Sequence, residues 1–227
     1  MSPKNRDRPT ARRTALRNAH PASEADPSLN REVFLNVPYD KEFVDVFVAY
    51  VAGLVMLGLS PRASLEIPGG EARLDKITGL IGLCAYSVHD LSRVELDLAD
   101  PPTPRFNMPF ELGIVVDLHR KRGSEHTWYV FESNERRLKK SLSDLAETDP
   151  YIHDGTPRGV LCELLNAFVS SPRQPTMQQM NEVYLLLRDS LNGILSRAGS
   201  ATPFKARAFK DLLAAARSLA TAAPRAR

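Results

Sequence analysis

The sequence predicts an α/β fold: a flavodoxin-like (Rossmannoid) three-layer open parallel sheet, flanked by helices and followed by a C-terminal helical hairpin. Short apolar, β-favouring runs alternate with helical patterns, which is typical of parallel βαβ units. Two long amphipathic segments then follow one another with no strand between them. A length of 227 residues suits one α/β domain with an extension.

Composition is that of an ordinary globular protein, with 43% hydrophobic and 25% charged residues. The formal charge of +3 is concentrated near the N-terminus, so we expect no dedicated nucleic-acid surface. The longest apolar run, Val46–Leu59, is shorter than the ~20 residues that span a bilayer. The basic N-terminus also lacks the apolar core of a signal peptide. We therefore expect a cytoplasmic protein with no membrane partner.

Three regions are predicted: a disordered basic tail (1–30), an α/β domain (31–172) and a C-terminal helical extension (173–227). The tail is rich in Arg, Pro, Ser and Ala and has few large apolar residues to bury. It either attracts RNA or anionic lipid or is an inert solvated arm. Cys84 and Cys162 each fall in an apolar helical pattern, which favours buried free thiols. No zinc-type spacing is present, and no metal site is predicted.

The first βαβ unit begins with Val33–Val37, a short apolar run that predicts a buried strand. Asp40 then caps a helix from Lys41 to about Leu57. This helix is apolar on most faces, which predicts a central position rather than a surface one. Gly58 ends it, and Arg62–Ile67 is the predicted second strand.

The alternation continues to about residue 169. The predicted elements are a helix over Glu71–Cys84, a strand over Ala85–His89, a helix entered at Asn107 and running through Leu118, a strand over Thr127–Glu132 and a helix over Gly159–Val169. Gln178–Ala198 and Phe204–Ala222 form the predicted hairpin, which either covers the sheet or makes a dimer contact.

Polar residues cluster where the third strand leads into the helix at Asn107. Asn107 is a good N-cap, and Glu111 then falls in the first helical turn. The simplest explanation for Glu111 is a favourable interaction with the helix macrodipole, worth ~0.3–1 kcal/mol. However, Asp90, Ser92 and Arg105 come from the loop that feeds the same helix. Such convergence at a strand end favours a ligand site, because ligands bind there in open α/β sheets.

Three further residues at this edge have two interpretations each. Asn36, at the end of the first strand, either binds a sugar hydroxyl or phosphate or forms a turn. Tyr39 either stacks on a base or packs beside the helix start. Arg105 either pairs with a phosphate or ties down the loop by bonding Asp90 or Glu111.

Five motifs occur in an order that resembles a bacterial family related to nucleoside 2-deoxyribosyltransferases and to TIR domains. The motifs are FLNVPYD (34–40), RLDKITGLI (73–81), VHDLSR (88–93), RFNMPFELG (105–113) and SLSDLAETD (141–149), and the resemblance covers about residues 32–170. It implies that Glu111 is the carboxylate that attacks or engages the sugar, and that Asp90 contacts the leaving base or sugar. It also implies a homo-oligomer and, for many relatives, a role in bacterial defence.

Two functional hypotheses follow. The first is cleavage or transfer of the N-glycosidic bond of a nucleoside or nucleotide, with catalytic Glu111 and Asp90. Its ligand-binding residues would be Asn36, Tyr39, Ser92, Arg105 and Asn107. The second is a non-catalytic TIR-like module that binds a nucleotide signal or a partner protein. No cofactor is predicted, NAD entering only as a substrate, and the chain has no glycine-rich phosphate loop.

Overall fold

A computed structural model describes residues 30–70, 72–98, 100–122 and 126–223. The predicted disordered tail lies outside the described residues, apart from Asn30. The strands are β1 (Glu32–Asn36), β2 (Ser60–Arg62), β3 (Tyr86–Asp90), β4 (Leu96–Asp97), β5 (Thr103–Pro104), β6 (Thr127–Glu132) and β7 (Tyr151–Ile152). The helices are α1 (Val44–Met56), α2 (Arg73–Leu83), α3 (Asn107–Arg122), α4 (Arg137–Ser141), α5 (Pro157–Ala167), α6 (Met177–Ala198) and α7 (Ala206–Ala222).

Five strands form a parallel sheet in the order β2-β1-β3-β6-β7. This is the flavodoxin-like order, so the predicted fold class is confirmed. The order reverses between β1 and β3, where Asn36 lies beside His89 in the register. A crevice at such a reversal is the usual ligand position in this architecture.

Helix α1 lies between the sheet and the C-terminal hairpin. It contacts α5, α6 and α7, and it also contributes to the core that contains the β1 residues Val33 and Leu35. Phe47 and Tyr50 are fully buried, and Phe47 lies 5.9 Å from Phe209 of α7 between ring centroids. Burial on two sides explains why α1 is apolar all round, and the predicted central position is confirmed. The hairpin is also confirmed.

Helices α2 and α3 cover the other face of the sheet. Phe34 of β1 packs there with Ile81 of α2 and Val115 of α3. Leu91, Met108 and Val130 form a second cluster near the carboxyl end of β3. The start of α3, which carries the predicted site, is therefore held against the sheet by its apolar residues.

Two local predictions were wrong. The second strand occupies Ser60–Arg62, and Ser64–Glu66 forms a 3-10 helix instead of continuing it. The Glu66 carboxylate accepts bonds from the Ala63 N–H and from Arg62 Nε, which turns the chain. Cys162 is exposed on α5, whereas Cys84 is buried as predicted; both are free thiols.

No helix among the described residues combines the length and the apolar character needed to cross a membrane.

Candidate functional site

Buried polar side chains gather at the carboxyl edge of the sheet. Asn36, Asp90 and Glu132 are the last residues of β1, β3 and β6, and His153 follows β7. All four are at most 3% exposed. Because parallel strands end at the same edge, residues far apart in the sequence lie side by side here.

Glu111 lies in α3 near the β1 end of this edge. It is 8% exposed, and its carboxyl accepts no hydrogen bond from the residues that the structure describes. Burial raises its pKa to about 7, and the charge of Arg73 opposes part of that rise. The side chain also faces Tyr39, whose pKa is raised by burial and, to a smaller extent, by the nearby Glu111 charge.

The start of α3 differs from the prediction in one important respect. Asn107 is the first helical residue rather than the cap before it, and the Phe110 N–H bonds the Phe106 carbonyl at 2.9 Å. No acidic residue lies in the first turn, because Glu111 is one position beyond it. The macrodipole effect falls off within the first turn, so it explains Glu111 less well than expected. Asn107 itself is exposed.

Asp90 is fully buried and surrounded by donors. It accepts bonds from the Tyr50 hydroxyl at 2.7 Å and the Ser92 N–H at 2.8 Å, and His153 Nε2 lies 3.1 Å away. Its position at the strand end is as predicted, but its oxygens are directed at protein groups. This arrangement anchors Ser92 and the loop after β3.

Ser92, His153 and Asp90 do not form a nucleophilic triad. Ser92 Oγ and Asp90 Oδ2 both approach Nε2 of His153, at 3.0 and 3.1 Å. The other ring nitrogen, Nδ1, accepts the Gly155 N–H at 3.2 Å. A triad needs the carboxylate and the hydroxyl on opposite ring nitrogens. Serine-nucleophile chemistry is therefore not supported.

Arg105 ties down the loop, but its partners differ from those considered from the sequence. Its Nη1 lies 2.7 Å from Asp40 and its Nη2 lies 2.9 Å from Asp97. Asp40 also accepts the Phe43 N–H as a helix cap, as predicted. The helix that Asp40 caps is a 3-10 helix over Lys41–Phe43, which leads into α1, so the guanidinium joins β4 to this turn.

A cleft of about 680 Å³ opens beside the ion pairs of Arg105. Its charged lining contains three arginines and three acids: Arg93, Arg105, Arg137, Glu42, Glu95 and Asp97. Each arginine already has a carboxylate partner within 3.0 Å. Of the predicted site residues, only Ser92 and Arg105 line this cleft.

Tyr39 packs within the protein. Its ring lies 5.4 Å from Phe204 and 6.3 Å from Phe47 between centroids, and its hydroxyl lies 3.4 Å from Ser64 Oγ. Packing beside the helix start is the interpretation that this geometry favours. The next residue, Asp40, faces Arg105.

Sequence reasoning missed Glu132 and Arg137. Glu132 is fully buried, neither carboxyl oxygen has a hydrogen-bond partner, and Arg137 Nε lies 3.6 Å away. Burial raises its pKa to about 8. Glu132 ends the clearest strand of the sequence, just as Asn36 and Asp90 end theirs, so the same pattern would have identified it.

No group of three or more His, Cys, Asp or Glu side chains suited to a metal ion occurs in the described part of the chain. No protein-family model matches the sequence, and no curated protein is significantly similar to it.

Proposed function

We propose that this protein cleaves or transfers the N-glycosidic bond of a nucleoside or nucleotide, with Glu111 as the carboxylate at the reacting sugar. NAD is among the candidate substrates. One observation carries the proposal: Glu111 is a buried carboxyl that accepts no hydrogen bond from the described residues, and its pKa is raised to about 7. It lies on the helix whose first turn is bonded to Asn36, where the strand order reverses. Buried carboxyls are normally hydrogen-bonded, so an exception requires a reason.

The chemistry of the bond explains why such a carboxyl is useful. Cleavage of an N-glycosidic bond develops positive charge on the sugar, which an ionised carboxylate stabilises or captures. The protonated form can instead donate a proton to the leaving base. A pKa of about 7 keeps both forms populated at neutral pH.

Arg73 holds the surroundings of Glu111 in place. Its guanidinium donates to the Ile67 carbonyl at 2.9 Å and to the Ser64 carbonyl at 3.3 Å. These two bonds fix a positive charge near the carboxyl without a direct ion pair between the two side chains. The charge offsets part of the burial cost and leaves the carboxyl oxygens available to a substrate.

The test is a turnover screen of the full chain against NAD, nucleosides and deoxynucleosides, with the released base quantified by chromatography. We expect Glu111→Gln to lower base release by 10²-fold or more, as is typical for loss of a catalytic acid or base. Asp117→Asn is the matched control, because it removes the same charge from an exposed position on the same helix. Equal turnover by the parent and Glu111→Gln would exclude the proposed role.

A binding module without turnover is the second candidate, and the 680 Å³ cleft favours it. Its volume suits a small-molecule ligand, and its arginines are engaged with acids rather than poised on a reacting group. In that case Glu111→Gln binds the ligand as tightly as the parent does, and neither protein releases base. Sedimentation of the same samples tests the homo-oligomer, which is part of the proposal.

A further inference from the structure

A continuous chain of hydrogen bonds runs through the sheet from its carboxyl edge to its amino edge. Asn36 Nδ2 lies 2.9 Å from His89 Nδ1, and His89 Nε2 lies 3.0 Å from Ser87 Oγ. Ser87 Oγ lies 3.1 Å from His126 Nε2, and His126 Nδ1 lies 2.8 Å from the Cys84 carbonyl oxygen. The four side chains are all at most 3% exposed.

The Cys84 carbonyl determines which atom donates and which accepts in each hydrogen bond of this chain. The Cys84 carbonyl only accepts, so His126 carries its proton on Nδ1 and accepts the Ser87 hydroxyl proton on Nε2. Because the Ser87 hydroxyl proton goes to His126, Ser87 accepts from His89 Nε2–H, and Nδ1 of the neutral His89 ring then accepts from the Asn36 amide. Every link then has one donor and one acceptor. Burial is the main cause that lowers the His89 pKa to about 3, so the His89 ring stays neutral, as this pattern requires.

The same direction determines how the Asn36 amide is oriented. Its nitrogen donates both to His89 and to the Met108 carbonyl, which lies 3.0 Å away. A flipped amide would place Oδ1 against the Met108 carbonyl oxygen and would reverse every link as far as Cys84. The Met108 carbonyl and the hydrogen bonds that lead to Cys84 therefore favour the same orientation of the Asn36 amide.

The amide oxygen of Asn36 takes no part in this chain. It makes no hydrogen bond with any described residue. Within the described part of the chain, only Glu132 has enclosed side-chain oxygens or nitrogens without a partner. Oδ1 of Asn36 is therefore not fully enclosed, and it provides a solvent contact of the 3% exposed Asn36 side chain at the carboxyl edge. Met108 lies in the first turn of α3, so the same amide also holds the helix that carries Glu111.

We infer that the chain Asn36–His89–Ser87–His126 is a positioning device that presents Asn36 Oδ1 as an acceptor to a hydrogen-bond donor of the ligand. That donor is a sugar hydroxyl or an N–H of the base. The class of ligand rests on the proposed function, whereas the direction of the chain does not. Asn36 thereby becomes a specificity residue, and His89, Ser87 and His126 act through it.

The direction is tested on the free full-length protein by nitrogen-15 NMR of the histidine rings. We expect the proton on Nε2 in His89 and on Nδ1 in His126. In Ser87→Ala, His126 should keep its proton on Nδ1, while His89 loses its acceptor and its Nε2 signal moves. His119→Gln is the control, because among the described residues the His119 ring bonds only the His126 backbone carbonyl and lies outside the chain. A proton on Nδ1 of His89 in the parent would overturn the inference.

Recognition is tested by calorimetric binding of adenosine, 2′-deoxyadenosine, 3′-deoxyadenosine, inosine and NAD. The parent should bind the analogue that lacks the donor group roughly tenfold more weakly than the compound that has it. A tenfold change in affinity corresponds to the loss of about one hydrogen bond. The analogue that loses affinity distinguishes a hydroxyl from a base N–H. In Ser87→Ala, the tenfold difference between the full ligand and the analogue without the donor should disappear, while the affinity for that analogue stays as in the parent. A general loss of stability would instead weaken the binding of every compound.

The outcomes separate this inference from the proposed function. Binding or cleavage without discrimination in the parent overturns the acceptor role. Discrimination that survives undiminished in Ser87→Ala overturns the positioning role of the chain. Both results leave the proposed function intact. If none of the five compounds binds, the acceptor role for these ligands fails, and the proposed function is decided separately by base release in the turnover screen.

Discussion

At the scale of single residues, burial of the Glu111 carboxyl lowers the free energy of unfolding by an amount that depends on pH. Its pKa rises from 4.5 to about 7 on folding. Below pH 4.5 the carboxyl is protonated in both the folded and the unfolded chain, so it costs nothing. Between the two pKa values the unfolded chain loses its proton first, and stability falls by about 1.4 kcal/mol per pH unit. Above pH 7 the full penalty, roughly 3 kcal/mol, is present.

Glu111→Gln should therefore stabilise the protein at pH 8 by up to about 3 kcal/mol and leave its stability nearly unchanged at pH 4. Urea unfolding of the parent and the variant at both pH values measures the difference. Comparison between the two proteins cancels the pH dependence of other groups, including Glu132. A stability difference that is the same at pH 4 and pH 8 would mean that the Glu111 pKa is not raised.

Gly159 is required by a close approach at the start of α5. A Cβ atom there would lie 2.0 Å from the His153 carbonyl oxygen and 2.4 Å from Asp154 Oδ1. We expect Gly159→Ala to destabilise the protein by about 1–3 kcal/mol or more, because the contacted group is backbone.

Gly79→Ala is the matched control, since Gly79 is also helical and, beyond its chain neighbours and the backbone of its own helix, no described atom lies within 4 Å of the added Cβ. It should stabilise the protein by about 0.5–1 kcal/mol, as expected for alanine in a helix. Thermal unfolding of both variants measures the two effects. Equal shifts in the same direction would contradict the steric explanation for Gly159.

At the scale of elements, the C-terminal hairpin completes the core around α1. Phe209 of α7 is 1% exposed and packs on Phe47, whereas Leu186 of α6 is 53% exposed. We expect Phe209→Ala to cost about 3–5 kcal/mol. Leu186→Ala should change stability by less than about 0.5 kcal/mol. Denaturant unfolding compares them, and a small effect of Phe209→Ala would mean that the hairpin is dispensable to the α/β domain.

At the scale of the whole molecule, the predicted α/β domain and helical extension share one core. A single cluster of buried residues contains Val33 of β1, Phe47 of α1 and Leu187 of α6. The predicted division at 172/173 therefore crosses a continuous apolar interior. Such an interior favours a single cooperative transition.

The one tryptophan of the chain provides the test. Trp128 packs with the α2 and α3 side of the sheet, away from the hairpin. We expect unfolding curves from tryptophan fluorescence and from far-ultraviolet circular dichroism to coincide. Two separate midpoints would show that the hairpin and the sheet unfold as independent units.

The sequence by itself determined the architecture and the edge at which polar residues collect. Alternating strand and helix patterns depend on neighbouring residues, so they are visible locally; the apolar faces of α1 and the polar ends of β1 and β3 are examples. The end of the second strand was missed because the Glu66 carboxylate turns the chain by capping Ala63.

Tertiary structure alone decided which polar groups meet. Arg105 bonds Asp40, 65 residues away, rather than Asp90 or Glu111. Asp90 is enclosed by Tyr50 and His153, and the Asn36 amide contacts His89 and the Met108 carbonyl, 53 and 72 residues away. These pairings depend on which strands become neighbours, and periodicity along the chain carries no information about partners so far apart.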